Sequence, residues 1–230
     1  MEASRCLITM LRYLIAIAIC ALCVSAQQTR PPPHNCTAAE SAQEKQCFQQ
    51  YYNNFGPPNP FTFYNWAMAY QGRINATGRV AFDQNCLWQQ TLDQCSRGGN
   101  TRQCLTNDNF VQWFNVNLTD AINFRTEFYV TQYECGPGKR VMDQNWNCIN
   151  QVSIYEANDI NSCVNTFNSN IAKGQDFCKS YNQYITCIDN IYQIICGPAV
   201  RGLVCQIEEI TLEVNTNQCN RVLQHCNNRN

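Results

Sequence analysis

Charged residues and histidines are scarce in this chain of 230 residues. Aspartate, glutamate, lysine and arginine together make up 14% of it, the net charge is −1, and the only histidines are His34 and His225. Because no basic stripe is available to neutralise phosphates, the composition argues against nucleic acid as a partner. His34 follows three prolines and His225 lies near the C-terminus, a placement that does not favour a two-histidine acid–base mechanism.

Catalytic and metal-binding motifs are missing as well. The sequence has no Gly-x-Ser-x-Gly elbow and no zincin helix, and beyond residue 26 it has no Cys-x-x-Cys pair. Glu208, Glu209 and Glu213 fall on the outer side of a predicted helix, where solvation is sufficient to explain them. We therefore predict a protein without enzymatic activity, cofactor or metal, and keep as the remaining enzymatic alternative a secreted hydrolase that uses two carboxylates.

Long apolar runs are confined to the first 26 residues. Arg5 and Arg12 precede the apolar run from Leu14 to Val24, and Val24-Ser25-Ala26 has the small residues of a cleavage site. This pattern predicts a signal peptide over residues 1–26 and a secreted, extracellular protein with no stable membrane span. The proline-rich residues 27–35 are predicted to form an extended arm.

Cysteine, by contrast, is abundant. Of 17 cysteines, three fall in the predicted signal peptide, which leaves an even number for pairing in an oxidising compartment. We expect all of the remaining cysteines to form disulfide bonds, with a connectivity that spacing leaves open: Cys36, Cys47, Cys86, Cys95, Cys104, Cys135, Cys148, Cys163, Cys178, Cys187, Cys196, Cys205, Cys219 and Cys226. Three sequons, at Asn75, Asn117 and Asn35, predict a glycoprotein.

The hydrophobic pattern is helical throughout, and strand-like alternation is hard to find. The firmest prediction is a helix over "FCKSYNQYITCIDNIYQIICG", Phe177 to Gly197, in which apolar residues recur at helical spacing. Asp176 marks its start, Gly197 its end, and Pro198 the beginning of another helix. Further helices are predicted over 36–56, 61–73, 80–99, 108–114 and 119–136, the last with Thr119 as its N-cap.

Three cysteines recur every nine residues in that helix: Cys178, Cys187 and Cys196. Nine helical positions separate neighbouring cysteines by roughly 13 Å, whereas the Cα atoms of disulfide partners lie within about 7 Å of each other. The three cannot bridge one another or share one metal. Cys187 points away from the other two, so we predict that its partner lies on a different helix from theirs.

Aromatic residues are unusually dense between Tyr51 and Tyr70. Most are expected to be core, but the segment is also a candidate lining for an apolar pocket or a binding face. The residues proposed for such a surface are Phe61, Phe63, Tyr64, Trp66 and Tyr70.

The doubled Cys-Gly-Pro at Cys135 and Cys196, and "CGPAVRGLVCQIEEI", resemble a nematode family of secreted, cysteine-rich helical domains of unknown function, which is related to chondroitin-proteoglycan core domains. The resemblance implies no catalytic residues. A weak likeness of residues 113–124 to 166–177 suggests two related helical units in residues 36–230, over 36–148 and 149–226. We thus predict an all-α, disulfide-braced helical bundle that binds an extracellular protein or matrix component; the alternative is a carrier of a small apolar ligand.

Overall fold

A computed structural model describes residues 36–56, 60–96, 101–216 and 218–219 of the chain. The predicted signal peptide, the proline-rich arm, Asn35, both histidines and Cys226 lie outside the described residues. Within them the chain forms two compact units, which divide between Cys135 and Gly136. We call them the N unit and the C unit. The sequence pseudo-repeat itself stays a prediction.

The predicted all-α fold is confirmed: the described ranges contain nine α-helices, one short 3-10 helix and no strand. In the N unit these are α1 Ala38–Asn53, α2 Phe63–Thr77, α3 Arg79–Ser96, the 3-10 helix Thr101–Cys104, α4 Asn107–Phe114 and α5 Leu118–Cys135. In the C unit they are α6 Lys139–Tyr155, α7 Ala157–Ala172, α8 Phe177–Cys196 and α9 Pro198–Asn215.

Short polar side chains start most of these helices. Thr37 and Glu40 form a reciprocal capping box on α1, in which each side chain accepts a hydrogen bond from the other residue's backbone N–H. Thr62, Thr106 and Asp176 cap α2, α4 and α8 by accepting from the backbone N–H three residues later. These bonds satisfy donors that would otherwise be orphaned in the first helical turn.

The N-cap predicted for α5 is wrong. The helix begins one residue earlier than expected, at Leu118, and the side chain of Asn117, not Thr119, accepts the capping bond from the Asp120 N–H at 2.8 Å. Asparagine and threonine are both favoured at this position. The choice is fixed by Asp120, whose carboxylate accepts from Asn117 Nδ2 and so holds the asparagine side chain from both ends.

The bounds predicted for the cysteine-bearing helix are confirmed. Helix α8 starts after its Asp176 cap, ends at Cys196, and is followed by Gly197 in a backbone conformation with φ of +82° that favours glycine. Pro198 then opens α9. Because only Gly197 separates α8 from α9, the chain reverses abruptly and the two helices pack against each other.

Helices α6 and α7 were not predicted. They are joined through the single residue Glu156, with neither glycine nor proline at the junction. Both are rich in asparagine, whose helix propensity is low. Their formation follows from tertiary packing, since Met142, Ile149 and Val152 of α6 and Ile160 and Phe167 of α7 are buried.

The core of the N unit is built largely from aromatic rings. Helices α1, α2, α4 and α5 contribute Phe48, Trp66, Phe110 and Phe124, each with essentially no exposed surface. Tyr52 lies among them, with its ring edge-on to Phe124 at 5.0 Å between centroids. Edge-on and offset ring pairs add to the free energy already gained by burying their area.

The core of the C unit forms where α8 packs between α7 and α9. From the predicted apolar stripe of α8, Tyr181, Tyr184, Ile185, Ile188 and Tyr192 are buried. They meet Phe167 on α7 and are covered on the other side by apolar residues of α9, namely Val200, Leu203, Val204 and Leu212. Toward the end of α8 the stripe reaches the surface, because Ile195 is 42% exposed.

Candidate functional site

The three cysteines of α8 each have a separate partner, as predicted. Cys178 bonds Cys219, beyond the end of α9; Cys187 bonds Cys163 on α7. Cys196 bonds Cys148 on α6. The bridge of Cys187 therefore leads to a different helix from those of its two neighbours, and α8 is fixed covalently to elements on both of its sides.

The N unit has its own bridges, and no bridge between described cysteines connects the two units. Cys36 bonds Cys104, Cys47 bonds Cys95, and Cys86 bonds Cys135. In the C unit Cys205 is disulfide-bonded as well, and its partner lies outside the described residues, as does Cys226. Every described cysteine is therefore in a disulfide, and the described part of the chain contains no group of three or more residues able to hold a metal ion.

The aromatic segment of α2 contributes mainly to the core. Phe63 is 3% exposed and Trp66 is fully buried. Half-buried Phe61 stacks on Phe124 with 5.0 Å between ring centroids, and half-buried Tyr70 stacks on Trp66 at 5.9 Å. Tyr64 alone among the five proposed residues is exposed, at 52%. The arrangement favours the core role for this segment and leaves Tyr64 as the ring available to a partner.

Asp120 connects the beginnings of α2 and α5. Its Oδ1 accepts a hydrogen bond from the Phe63 N–H at 3.2 Å, and its Oδ2 accepts one from Asn117 Nδ2 at 3.0 Å. Burial raises the pKa of Asp120, and the two hydrogen bonds oppose that rise. The carboxylate thereby supports two helix starts with one side chain.

The two described sequon asparagines are both exposed. Asn75 lies in the last turn of α2, where its Oδ1 accepts from Gln71 Nε2 at 2.8 Å. Asn117 lies before α5 and caps it. Exposed acceptors of this kind are compatible with a bulky surface modification.

The prediction that Glu208 lies on a solvated helix face is wrong. Its carboxylate is half-buried and accepts hydrogen bonds from Tyr181 Oη and Tyr184 Oη, at 3.3 Å on each oxygen. The single hydroxyl proton of Tyr181 is shared with the Glu208 backbone carbonyl, which lies 3.0 Å from Tyr181 Oη. Burial, with the negative charge of Glu208 beside it, raises the pKa of Tyr184 well above its usual value.

The neighbouring acids differ from Glu208. Glu209 is half-buried and accepts from Gln206 Nε2 at 3.2 Å, and Glu213 is exposed as predicted. The tyrosine hydroxyls satisfy the carboxylate of Glu208 within the fold. The cluster thus ties α9 to α8 rather than presenting a general acid or base to solvent.

Helix α7 presents a polar face along a groove of about 590 Å³. The residues that line it are spaced at three and four positions and carry amides, hydroxyls and one ammonium group: Asn158, Asn161, Ser162, Asn165, Thr166, Ser169, Asn170 and Lys173. No carboxylate is among these described lining residues.

Among the described residues of the C unit, the large apolar side chain with the greatest exposed fraction is that of Ile194, at 83%. Ile195 is 42% exposed, and Pro198 and Ala199 at the start of α9 are exposed too. We call these four residues the junction patch. It is held in place by the Cys148–Cys196 bridge within the same turn.

These features define an all-α protein braced by disulfide bonds. No helix within the described ranges is long and apolar enough to cross a membrane. Searches of protein-family models, of curated proteins and of solved structures found no match to this chain. The resemblance to nematode secreted domains therefore stays a prediction.

Proposed function

We propose that this chain is a secreted, non-enzymatic protein that binds an extracellular protein or matrix component through the junction patch. Support for export comes from the signal-like residues 1–26 and from the disulfide-bonded state of every described cysteine. Disulfide-dense helical domains are typical of oxidising, extracellular compartments.

The observation that carries the proposal is the exposure of Ile194. An isoleucine side chain gains about 1.5–3 kcal/mol when it is fully removed from water. Solvent exposure forgoes this free energy in a unit whose other large apolar side chains are mostly buried. Contiguous exposed apolar residues with polar surroundings are typical of protein interaction sites.

The rigidity of the patch supports the same conclusion. Ile194 and Ile195 lie in the last turn of α8, Pro198 and Ala199 in the first turn of α9, and the Cys196 bridge lies between the pairs. A surface that is already ordered loses little conformational entropy on binding. The bridge therefore favours affinity as well as stability.

Photocrosslinking tests the proposal. A benzophenone side chain introduced in place of Ile194 is irradiated in extracellular fluid and matrix from the secreting tissue. The matched control carries it in place of Glu213, an exposed polar position of α9 in the same unit. We expect a discrete adduct from position 194 alone.

Competition makes the test quantitative. Unlabelled wild-type protein should suppress the adduct, and an Ile194→Asp variant should need about tenfold or more protein to do so, since burying a charge opposes binding. Equal competition by the two proteins, or the same adducts from positions 194 and 213, would contradict the proposal.

A further inference from the structure

A second exposed apolar surface lies in the N unit, where α2 and α5 begin. Leu118 is 44% exposed and Tyr64 is 52% exposed. They directly follow Asn117 and Phe63, which both donate to the Asp120 carboxylate. The two side chains therefore lie at the same end of the unit, and we call them the helix-start patch.

A sequon adjoins this patch. Asn117-Leu118-Thr119 has the acceptor pattern for N-glycosylation, and all three residues are exposed. We propose that Asn117 carries an N-linked glycan whose first sugars cover Leu118 and Tyr64. The inference rests on the proposed export of the protein, because the transfer takes place in the secretory pathway.

The transfer forms a bond between Nδ2 of Asn117 and C1 of the first N-acetylglucosamine. The C1–O bond to a lipid-linked pyrophosphate breaks, the pyrophosphate leaves with the electron pair, and a proton leaves the amide nitrogen. The product keeps the side-chain carbonyl and one N–H. The Oδ1 that accepts from the Asp120 N–H in the cap is therefore unaltered by the modification.

Geometry places the sugar over the patch. The attachment atom is Nδ2 of Asn117, the residue before Leu118. It donates to the carboxylate of Asp120, which also accepts a hydrogen bond from the backbone N–H of the residue before Tyr64. The C–H face of a pyranose packs well on aliphatic and aromatic side chains, which reduces their contact with water. One glycan thus accounts for two exposed apolar residues.

The second described sequon provides the internal comparison. Asn75 lies in the last turn of α2 and Tyr64 in its first. Eleven helical residues separate them by roughly 16 Å. A glycan on Asn75 therefore starts far from the helix-start patch, and its removal should leave Tyr64 unchanged.

The experiment expresses the full chain in secreting animal cells and maps glycosylation by mass spectrometry of peptides. Hydroxyl-radical footprinting then measures oxidation rates of Tyr64 and of Tyr155, a 75% exposed tyrosine of the C unit that serves as reference. Three variants are compared with the wild type: Thr119→Ala removes the sequon but not the cap, Thr119→Ser retains both, and Thr77→Ala removes the Asn75 sequon.

We expect the Asn117 peptide to carry the glycan, and Tyr64 to be oxidised at least about twofold faster in Thr119→Ala, in line with its exposure without sugar. Tyr155 should not change, and Thr119→Ser and Thr77→Ala should match the wild type at Tyr64. Secreted protein with an unmodified Asn117, or equal Tyr64 rates in all variants, would overturn the inference alone. Failure of secretion would instead overturn the proposed function.

Discussion

The bridge between Cys163 and Cys187 is the sharpest test of how α8 is held. Replacing both cysteines by alanine disconnects α7 from α8 without leaving an unpaired thiol. The bridge closes a loop with a sequence separation of 24. The chain-entropy relation assigns such a loop about 3.5 kcal/mol of stabilisation through the unfolded state.

The loss should appear in the C unit, because both cysteines of the bridge belong to it. Tryptophan fluorescence reports mainly on the N unit. Three of the four tryptophans, Trp66, Trp88 and Trp113, lie there, and Trp146 lies in the C unit. Guanidinium unfolding followed by far-ultraviolet circular dichroism should show a C-unit transition destabilised by about 3–4 kcal/mol. The fluorescence transition should be nearly unchanged.

The matched control replaces Cys86 and Cys135 of the N unit by alanine. Its sequence separation of 49 predicts a loss of about 4 kcal/mol, now in the transition that fluorescence reports. A loss below about 1 kcal/mol for the Cys163–Cys187 variant, or the same shift of both transitions in either variant, would refute the reasoning.

Three further substitutions test individual contacts. Asn117→Gln removes both the cap and the sequon, whereas Thr119→Ala removes the sequon alone. The free energy of unfolding from denaturant titration should therefore be about 1 kcal/mol lower for Asn117→Gln than for Thr119→Ala, both unglycosylated at this site; equal values would contradict the cap. Burial raises the pKa of Tyr184 above 10, so the folded state keeps a proton that the unfolded chain releases, and stability should fall as pH rises past about 10, by about 1.4 kcal/mol per pH unit. Tyr184→Phe should remove that slope in C-unit titrations between pH 9 and 11, and an unchanged slope would refute the assignment. Arg201 Nε donates to Asp189 Oδ2 at 3.1 Å, with the aspartate 2% exposed; Arg201→Gln should cost about 1–2 kcal/mol in thermal or denaturant unfolding, since the arginine itself is largely solvated.

Local signals in the sequence were sufficient for α8. The helix is indicated by its apolar spacing, its Asp176 cap and the Gly197-Pro198 stop. These signals depend only on residues within or next to the helix, so they could be read without knowing how other helices pack. The same geometry predicted that Cys187 and its neighbours have separate partners. It could not say which, because pairing depends on where α6 and α7 pack, and no local pattern indicated these two helices.

Tertiary contacts decided the features that sequence reasoning missed. Thr119 and Asn117 are both acceptable caps, and only the carboxylate of Asp120, fixed by Phe63 of another helix, selects the asparagine. Glu208 was predicted to be solvated because helical spacing describes one helix alone. Two tyrosines of α8 reach across to it and change its environment.

For the candidate site, the aromatic segment was the least predictable part. Ring density does not reveal whether rings enclose a space or fill one, because this depends on α5, which supplies Phe124. The sequence did not indicate the exposure of the junction patch either. Ile195 belongs to the apolar stripe of α8, whose other members are buried or half-buried, and yet it is exposed.

The bridges of α8 also determine whether a protease can separate the C unit into fragments. The turn between α7 and α8 is exposed from Lys173 to Asp176, so it offers a cleavable bond next to a lysine. A cut there breaks the backbone, but the two fragments remain joined. The Cys163–Cys187 and Cys148–Cys196 bridges each connect a cysteine before the cut to one after it. A nicked molecule would thus keep its junction patch and separate into two fragments only when its disulfides are reduced.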